Sequence, residues 1–196
     1  MSSARAVRRQ ELDADGQAIF DELAATRTVV DGTIGGPFGV LLRSPEAARR
    51  TAHLGAYYRY ESGLPSPVRH LAAMIVAQAF DCRYEFSVHA ARGREDGIAD
   101  AVVTDLGRGD EPTGLPTAEA DVVRFVRQLV ATHRVEPDTR AAVEAALGPR
   151  GLTDLVGNIG YLMMIACPMN AFEVEVEAGQ RDELPFVANP GEDPQP

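Results

Sequence analysis

The helical pattern of this 196-residue chain is clearest over Ser66–Arg92, which reads SPVRHLAAMIVAQAFDCRYEFSVHAAR. Apolar residues recur there at intervals of three and four, which is typical of an amphipathic helix. Asp81 allows two interpretations. It could cap a second helix that begins at Cys82, or the whole stretch could be one long helix. The sequence leaves both open.

One face of this stretch changes character half-way along. At spacings of 4, 3, 4, 3 and 4 it carries Leu71, Ile75, Gln78, Cys82, Glu85 and His89. On a continuous helix this is a core-facing stripe, so a thiol, a carboxylate and an imidazole would stand where apolar side chains belong. A buried polar group without a partner costs about 1–3 kcal/mol, so Glu85 and His89 are expected to bond to each other or to a ligand. Polar residues at core positions are typical of functional sites.

Each of these residues also has an ordinary structural interpretation. Glu85 and His89, four residues apart, could be a solvated surface pair. Cys82 could be a small buried apolar residue, or, in the first turn of a new helix, a thiol whose ionised form the helix dipole favours. The other two histidines, His53 and His133, have no polar partner nearby in the sequence and are expected to be structural or exposed.

The remainder of the chain also predicts helices, separated by loops rich in Gly and Pro. The expected helices are Asp13–Thr26, Ser44–Ser62, Asp96–Leu106, a helix capped by Thr117, Pro137–Leu147 and Leu152–Met169. We therefore expect an all-α fold with a single domain over residues 1–172. Residues 173–196 alternate acidic residues with valine and then become rich in proline, which predicts an extended acidic arm.

Composition excludes several classes of protein. The chain has 19 basic and 29 acidic residues, a net charge of −10, and no lysine. This balance argues against a nucleic-acid partner, because a protein that binds nucleic acid needs clustered basic residues.

The cysteines and the apolar runs bear on the location of the protein. Two cysteines 85 residues apart, with no secretory signal, indicate free thiols in a reducing compartment, so a cytoplasmic location is expected. The longest apolar run, Tyr161–Met169, has nine residues, so no membrane partner is expected.

Five segments together resemble the carboxymuconolactone decarboxylase family, which also contains the alkylhydroperoxidase D proteins. They are residues 36–45 (GPFGVLLRSP), 54–65 (LGAYYRYESGLP), 69–72 (RHLA), 81–89 (DCRYEFSVH) and 170–174 (NAFEV), so the resemblance spans residues 36–175 approximately. It implies an all-helical, alkylhydroperoxidase D-like bundle that assembles as a homo-oligomer, often a trimer or hexamer. It also implies a site at helix and subunit junctions.

The resemblance places four residues at the family's site: His70, Cys82, Glu85 and His89. The peroxidase branch uses a Cys-x-x-Cys pair, but here the second cysteine position is Glu85. The family often has a glutamate twelve residues before the first cysteine position, and here that residue is His70. A thiol cycle would therefore need Cys167 or an external thiol. This set of side chains suits proton transfer better than thiol redox chemistry.

The sequence thus favours a decarboxylase-like enzyme that acts by acid–base chemistry on a small carboxylated or lactone-type molecule, without a cofactor. His89 is the expected proton donor, Glu85 its orienting partner, and His70 a second acid–base or polarising group. Arg59, from the second segment, could hold a substrate carboxylate, unless it is an ordinary surface arginine.

Three alternatives stay open. The runner-up is a single-cysteine, alkylhydroperoxidase-like or peroxiredoxin-like thiol protein, with Cys82 as its reactive group. Two imidazoles and a carboxylate, with a thiol nearby, are also the ligand types of a mononuclear metal site, although nothing else in the sequence supports a metal. The third alternative is a module that binds a ligand or assembles without catalysis.

Overall fold

The computed structural model describes residues 5–176 and 179–184, and its secondary structure is almost entirely helical. The α-helices in this part of the chain are α1 (Ala14–Ala24), α2 (Gly36–Leu41), α3 (Pro45–Ala56), α4 (Ser66–Ala79), α5 (Arg83–Glu95), α6 (Asp100–Arg108), α7 (Thr117–Thr132) and α8 (Pro137–Ala171). There are also a 3₁₀ turn at Arg9–Glu11, a π-helical turn at Tyr57–Glu61, and an antiparallel hairpin of β1 (Val29–Val30) with β2 (Thr33–Ile34). The predicted all-α class is confirmed.

Helix α4 is the centre of the bundle because it is apolar on every side. All seven residues of Leu71–Ala77 are buried, and the helix packs against α5, α6, α7 and α8. A helix that is hydrophobic all round is stable only where other helices surround it. Its neighbours contribute Phe86, Val126 and Leu155, which are almost fully buried. The bundle core is therefore built around the stretch in which the sequence pattern is strongest.

A smaller apolar cluster organises the N-terminal region. It joins α1, β2, α2 and α3, with Phe20, Ile34 and Phe38 in its interior. Asp13 caps α1 through its carboxylate, which accepts a hydrogen bond from the Gly16 N–H at 2.8 Å. The first helix thus begins close to the predicted start at Asp13. This N-terminal cluster forms one wall of the cleft described below.

The stretch Ser66–Arg92 folds as two helices. Helix α4 ends at Ala79, Asp81 takes a left-handed backbone conformation with a φ of 50°, and Cys82 is the N-cap of α5. A residue with positive φ cannot continue the helical hydrogen-bond ladder. Asp81 is therefore the turn and not the cap, and the stripe expected on one continuous helix is broken there. Helix α5 runs back along α4 as a helical hairpin.

Two of the helix boundaries that differ from the prediction matter for the site. The helix predicted over Ser44–Ser62 ends as α3 at Ala56 and continues as the π turn, which faces the cleft. The helix predicted from Asp96 begins only at Asp100. Asp96 instead ends α5, just before Gly97, whose φ is 91°. Its carboxylate is therefore outside both helices and can reach α4.

Helix α8 is interrupted at Gly148, whose φ of 72° is not helical, and at Pro149 directly after it. The two parts correspond to the predicted helices Pro137–Leu147 and Leu152–Met169. By length and composition alone, α8 is long and apolar enough to cross a membrane. Residues such as Ile159 on its second part are buried in the bundle core, however, as in the core helix of a globular protein.

The described part of the predicted C-terminal arm packs on α5. The Glu183 side chain is 8% exposed and forms a bidentate pair with Arg94, at N–O distances of 2.9 and 3.1 Å. Asp182 pairs with Arg83, and Leu184 is buried in the bundle core. The rest of the predicted arm, residues 177–178 and 185–196, lies outside the described residues.

Candidate active site

A cleft of about 590 Å³ opens between the N-terminal cluster and helices α4, α5 and α8. Four of the five site residues predicted from the sequence line it: His70, Glu85, His89 and Arg59. The fifth, Cys82, lies in the bundle core. The hairpin of α4 and α5 supplies the two histidines from opposite helices, although they are 19 residues apart in the chain.

Four side chains form a series of contacts across the hairpin, here called the carboxylate–imidazole chain. Asp96 Oδ2 lies 3.0 Å from His70 Nε2, and His70 Nδ1 lies 2.9 Å from His89 Nδ1. His89 Nε2 lies 3.5 Å from Glu85 Oε2. The Ser66 hydroxyl donates to Asp96 at one end. His70 and Glu85 are 8% and 9% exposed, so most of the chain is removed from water.

The chemistry of these groups decides where the protons lie. Burial, together with the neighbouring His89, lowers the pKa of His70 to about 4, so this ring is neutral at neutral pH. A neutral His70 that donates from Nε2 to the Asp96 carboxylate must accept at Nδ1. His89 therefore donates its Nδ1–H to His70. The ring nitrogen of His89 that remains for proton exchange is Nε2, which faces Glu85.

Asp96 and Ser66 belong to the site, although no spacing in the sequence points to them. The Ser66 hydroxyl, and then His70, lower the pKa of Asp96, which is ionised at neutral pH. The signal that could have identified both residues is the turn at Asp81. Once the chain reverses there, residues almost equally far before and after the turn meet. His70 meets His89 in this way, and Ser66 meets Asp96.

Cys82 is not activated as the start of a helix would suggest. Burial raises the pKa of its thiol to about 12, although the nearby Glu85 backbone N–H acts in the opposite direction. The residue is 1% exposed. A thiol with such a pKa is almost wholly protonated at neutral pH, whereas the thiolate is the nucleophile. Cys167, by contrast, is exposed.

Two tyrosines form the aromatic floor of the cleft, Tyr58 and Tyr161, with ring centroids 5.8 Å apart. A Cβ on Gly55 would lie 2.2 Å from the Tyr161 hydroxyl, and one on Gly157 would lie 2.2 Å from the Tyr58 hydroxyl. An alanine at either position would therefore displace the tyrosine that it meets. Burial, with the nearby Glu85 carboxylate, raises the pKa of Tyr161 to about 12, so its hydroxyl stays protonated.

Four arginines line the cleft: Arg27, Arg59, Arg69 and Arg92. Within residues 5–176 and 179–184, the ion pairs are formed by other arginines and by histidines. The π turn carries Arg59, which is exposed. Of these four arginines, Arg59 alone was predicted from the sequence, although Arg69 also lies in a segment that resembles the family. The cleft thus holds positive charge without carboxylate partners.

The arrangement does not fit the metal alternative. Among the residues that the structure describes, no group of three or more His, Cys, Asp or Glu side chains could hold a metal ion. The two imidazoles use their Nδ1 atoms to bond each other, and their Nε2 atoms face different carboxylates. Cys82 is in the core and does not complete a ligand set.

Residues 45–128 match the sequence profile of the carboxymuconolactone decarboxylase family. This segment of the chain belongs to the carboxymuconolactone decarboxylase/AhpD-like superfamily. This confirms the resemblance in the sequence. The matched segment contains the whole carboxylate–imidazole chain. No curated protein matches this chain.

Solved structures share the fold of this chain at low sequence identity. An uncharacterized peroxidase-related protein from Ralstonia eutropha JMP134, with an alkylhydroperoxidase AhpD core, is 16% identical, with a TM-score of 0.73 over 90% of this chain and 93% of its own. A putative antioxidant defence protein AhpD from Agrobacterium tumefaciens is 17% identical, with a TM-score of 0.64 over 70% and 95%. A cysteine-to-alanine variant of the debrominase Bmp8, in complex with 2,3,4-tribromopyrrole, is 12% identical, with a TM-score of 0.70 over 91% and 93%.

Proposed function

We propose that this superfamily member is an enzyme that catalyses a decarboxylase-type lyase reaction by acid–base chemistry. Its substrate is a small carboxylated or lactone-type molecule that binds in the cleft. The observation that carries this proposal is the carboxylate–imidazole chain, which leaves His89 Nε2 as the exchangeable position beside the cleft. No cofactor is needed for this chemistry.

In the proposed reaction His89 delivers a proton to carbon. The carbon–carbon bond to the substrate carboxylate breaks, CO₂ leaves, and the electron pair moves into the conjugated lactone carbonyl. His89 enters this step as the imidazolium, donates its Nε2 proton to the carbon that holds the electron pair, and becomes the neutral Nδ1–H tautomer; Nε2 then takes up a proton from water. Glu85, 3.5 Å away, stabilises the imidazolium by its charge. His70, oriented by Asp96, holds the opposite side of the ring.

A thiol redox function is the second candidate, and its support comes from the fold. Solved structures of the same fold include peroxidase-related proteins and a debrominase studied as a cysteine-to-alanine variant. The burial and high pKa of Cys82 weigh against it here. One variant, Cys82→Ala, distinguishes the two candidate functions. Under the thiol proposal Cys82→Ala abolishes peroxide consumption, and under the acid–base proposal it leaves decarboxylation intact.

The acid–base proposal is tested with the purified full chain and a series of carboxylated lactones that includes carboxymuconolactone, by measuring CO₂ release. His89→Gln removes the exchangeable nitrogen at similar size, and kcat is expected to fall at least about 100-fold. His53→Gln is the matched control, because His53 is exposed and pairs with Glu22 at 2.7 Å outside the cleft. Unchanged turnover in H89Q would contradict the assignment. A wild-type chain that binds but never turns over these lactones would favour a non-catalytic binding module.

The proposal extends to assembly as a homo-oligomer, a trimer or hexamer, as the family resemblance implies. Helix α8 exposes Val156 and Met164, each 43%, and the π turn exposes Tyr60, 75%. Exposed side chains of this size would be removed from water by contact with a second copy of the chain. Light scattering of the full chain measures the mass, and a monomer over a wide concentration range would contradict this part of the proposal.

A further inference from the structure

Residues 180–184, here called the C-terminal strap, connect the cleft with the bundle core. Gln180 lines the cleft. Leu184, at the other end of the strap, is 5% exposed and belongs to the core cluster. The residues between these two ends contact helix α5. The strap lies outside residues 45–128, the segment that matches the family, so its role has to be inferred from its own contacts.

The strap contacts α5 near both ends of the helix and in its middle. Asp182 pairs with Arg83 in the first turn. The Glu183 backbone N–H donates to Ser87 Oγ at 3.2 Å. The Glu183 carboxylate accepts two hydrogen bonds from Arg94, in the last turn, at 2.9 and 3.1 Å. Two consecutive residues of the strap therefore hold almost the whole length of α5.

These contacts lie on the side of α5 that faces away from the cleft. Each residue of a helix advances by about 100° around the axis, so Arg83, Ser87 and Arg94 lie within about 40° of one another. Glu85 and His89 lie on the opposite side of the helix, and both line the cleft. The three contacts therefore act on the site through the position of the helix.

Helix α5 depends on such contacts because its own apolar packing is limited. It packs mainly on α4. Among its buried residues, Tyr84 and Phe86 are large and apolar. The other buried residues are small or charged: Glu85, Ser87, Ala90 and Gly93. The pair of Arg94 with Glu183, whose side chain is 8% exposed, is bidentate, and such pairs are both strong and directional.

We propose that the C-terminal strap positions α5 for catalysis, with Glu183 as its main positioning residue. The hydrogen bond between His70 Nδ1 and His89 Nδ1, at 2.9 Å, joins α4 to α5. A shift or rotation of α5 would lengthen this bond, and the tautomer of His89 would no longer be set by His70. The effect of the strap on turnover rests on the proposed function, whereas its effect on the helix does not.

The test compares two variants of the full chain, each of which alters one partner of Arg94. Glu183→Gln removes the charge of the buried partner at similar size, and Asp100→Asn does the same for the exposed partner. Hydrogen exchange of the native protein measures local opening of α5 and α7. In E183Q the α5 amides are expected to exchange at least about tenfold faster, with α7 unchanged. ¹⁵N spectra of the histidine rings are expected to show mixed tautomers of His89. D100N is expected to match wild type in both measurements.

Three results would overturn the proposal. The first is unchanged α5 exchange with unchanged His89 signals in E183Q. The second is an equal rise over α5 and α7, which would mean that the strap stabilises the fold as a whole and does not position one helix. The third is an equal effect of E183Q and D100N. A thermal melt accompanies each variant. If E183Q does not fold, Asp182→Asn, which alters the more exposed pair with Arg83, carries the same test.

The failure of this inference is distinct from the failure of the proposed function, because exchange and histidine spectra need no substrate. Lactone turnover that depends on His89, in a protein whose E183Q variant matches wild type in exchange and spectra, overturns the strap alone. The expected exchange and spectra in a protein that turns over no lactone overturn the proposed function alone. In the active enzyme, E183Q is expected to lower kcat at least about tenfold and to change KM by less than about twofold, since it misplaces a catalytic group.

Discussion

His70 Nδ1 lies 2.9 Å from His89 Nδ1, so two imidazoles from opposite helices of a hairpin share one hydrogen bond. Only one of the two nitrogen atoms can donate in such a contact. Because His70 donates to Asp96 from its other nitrogen, it accepts from His89. The tautomer of His89 is thereby set by a carboxylate that this ring does not touch.

Replacing Asp96 by asparagine is expected to disturb catalysis through this indirect effect. The amide can also donate a hydrogen bond to His70, so both rings would occupy mixed tautomers and kcat would fall at least about tenfold. The pH dependence of kcat is the decisive measurement, because a merely structural role would not move it. Asp100→Asn is the control, since Asp100 pairs with Arg94 on the surface. Superimposable pH profiles for D96N and wild type would refute this role.

The stability of the protein is expected to fall on mild acidification because of His70. The pKa of this residue is about 4 in the folded protein, against an ordinary value of 6.5 when unfolded. Between these values the unfolded state binds the extra proton, so the free energy of unfolding decreases as the pH falls from 6.5 to about 4. Below about pH 4, His70 causes no further decrease in the free energy of unfolding. The expected loss is roughly 2–3 kcal/mol.

Urea denaturation of wild type and His70→Gln across this range checks the effect. Glutamine does not titrate, so the H70Q variant is expected to lose less stability on acidification, whatever its stability at neutral pH. Equal losses in the two proteins would show that other groups cause the acid sensitivity.

The two cysteines are expected to differ sharply in reactivity. Cys82 is buried with a pKa of about 12, while Cys167 is exposed. Because thiol reagents attack the accessible thiolate, Ellman's reagent should modify Cys167 in the native protein and both thiols after unfolding. Cys167→Ser should then leave the native protein unreactive. Rapid modification of Cys82 in native C167S would revive the thiol redox candidate.

Two glycines of α8, three residues apart, are expected to respond oppositely to alanine. A Cβ at Gly157 would lie 2.2 Å from the Tyr58 hydroxyl, so Gly157→Ala should destabilise the fold by about 1–3 kcal/mol and displace this tyrosine. At Gly160 nothing lies within 4 Å of the added atom. Gly160→Ala should therefore stabilise the helix by about 0.5–1 kcal/mol. Thermal melts of the two variants compare them directly, and an equal shift in the same direction would contradict this packing.

The sequence could predict those parts of the site that depend on spacing along one helix. Glu85 and His89 lie four residues apart, so their contact follows from helical geometry. The break at Asp81 did not follow from periodicity, because both halves of the stretch are helical and a positive φ leaves no mark in the apolar pattern. The pairing of His70 with His89, and the role of Asp96, depend on that break and so required the structure.

Cys82 shows a second limit on what the sequence can predict. Its place at the start of a helix was one of the two possibilities in the sequence, and the Glu85 backbone N–H there does act to lower the pKa of the thiol. Burial outweighs this effect, and burial depends on how α5 packs. Arg27 illustrates the same limit on the surface, because its loop reaches the cleft only through the packing of the N-terminal cluster.

The turn at Asp81 makes the length of the α4–α5 hairpin part of the catalytic design. One residue inserted between Phe80 and Arg83 would rotate α5 by about 100° around its axis, since a helix turns once in 3.6 residues. His89 and Glu85 would then leave the cleft together, although every side chain of the site would still be present. Functional variation in this segment should therefore consist of substitutions, and changes in its length should abolish activity while the helices still form.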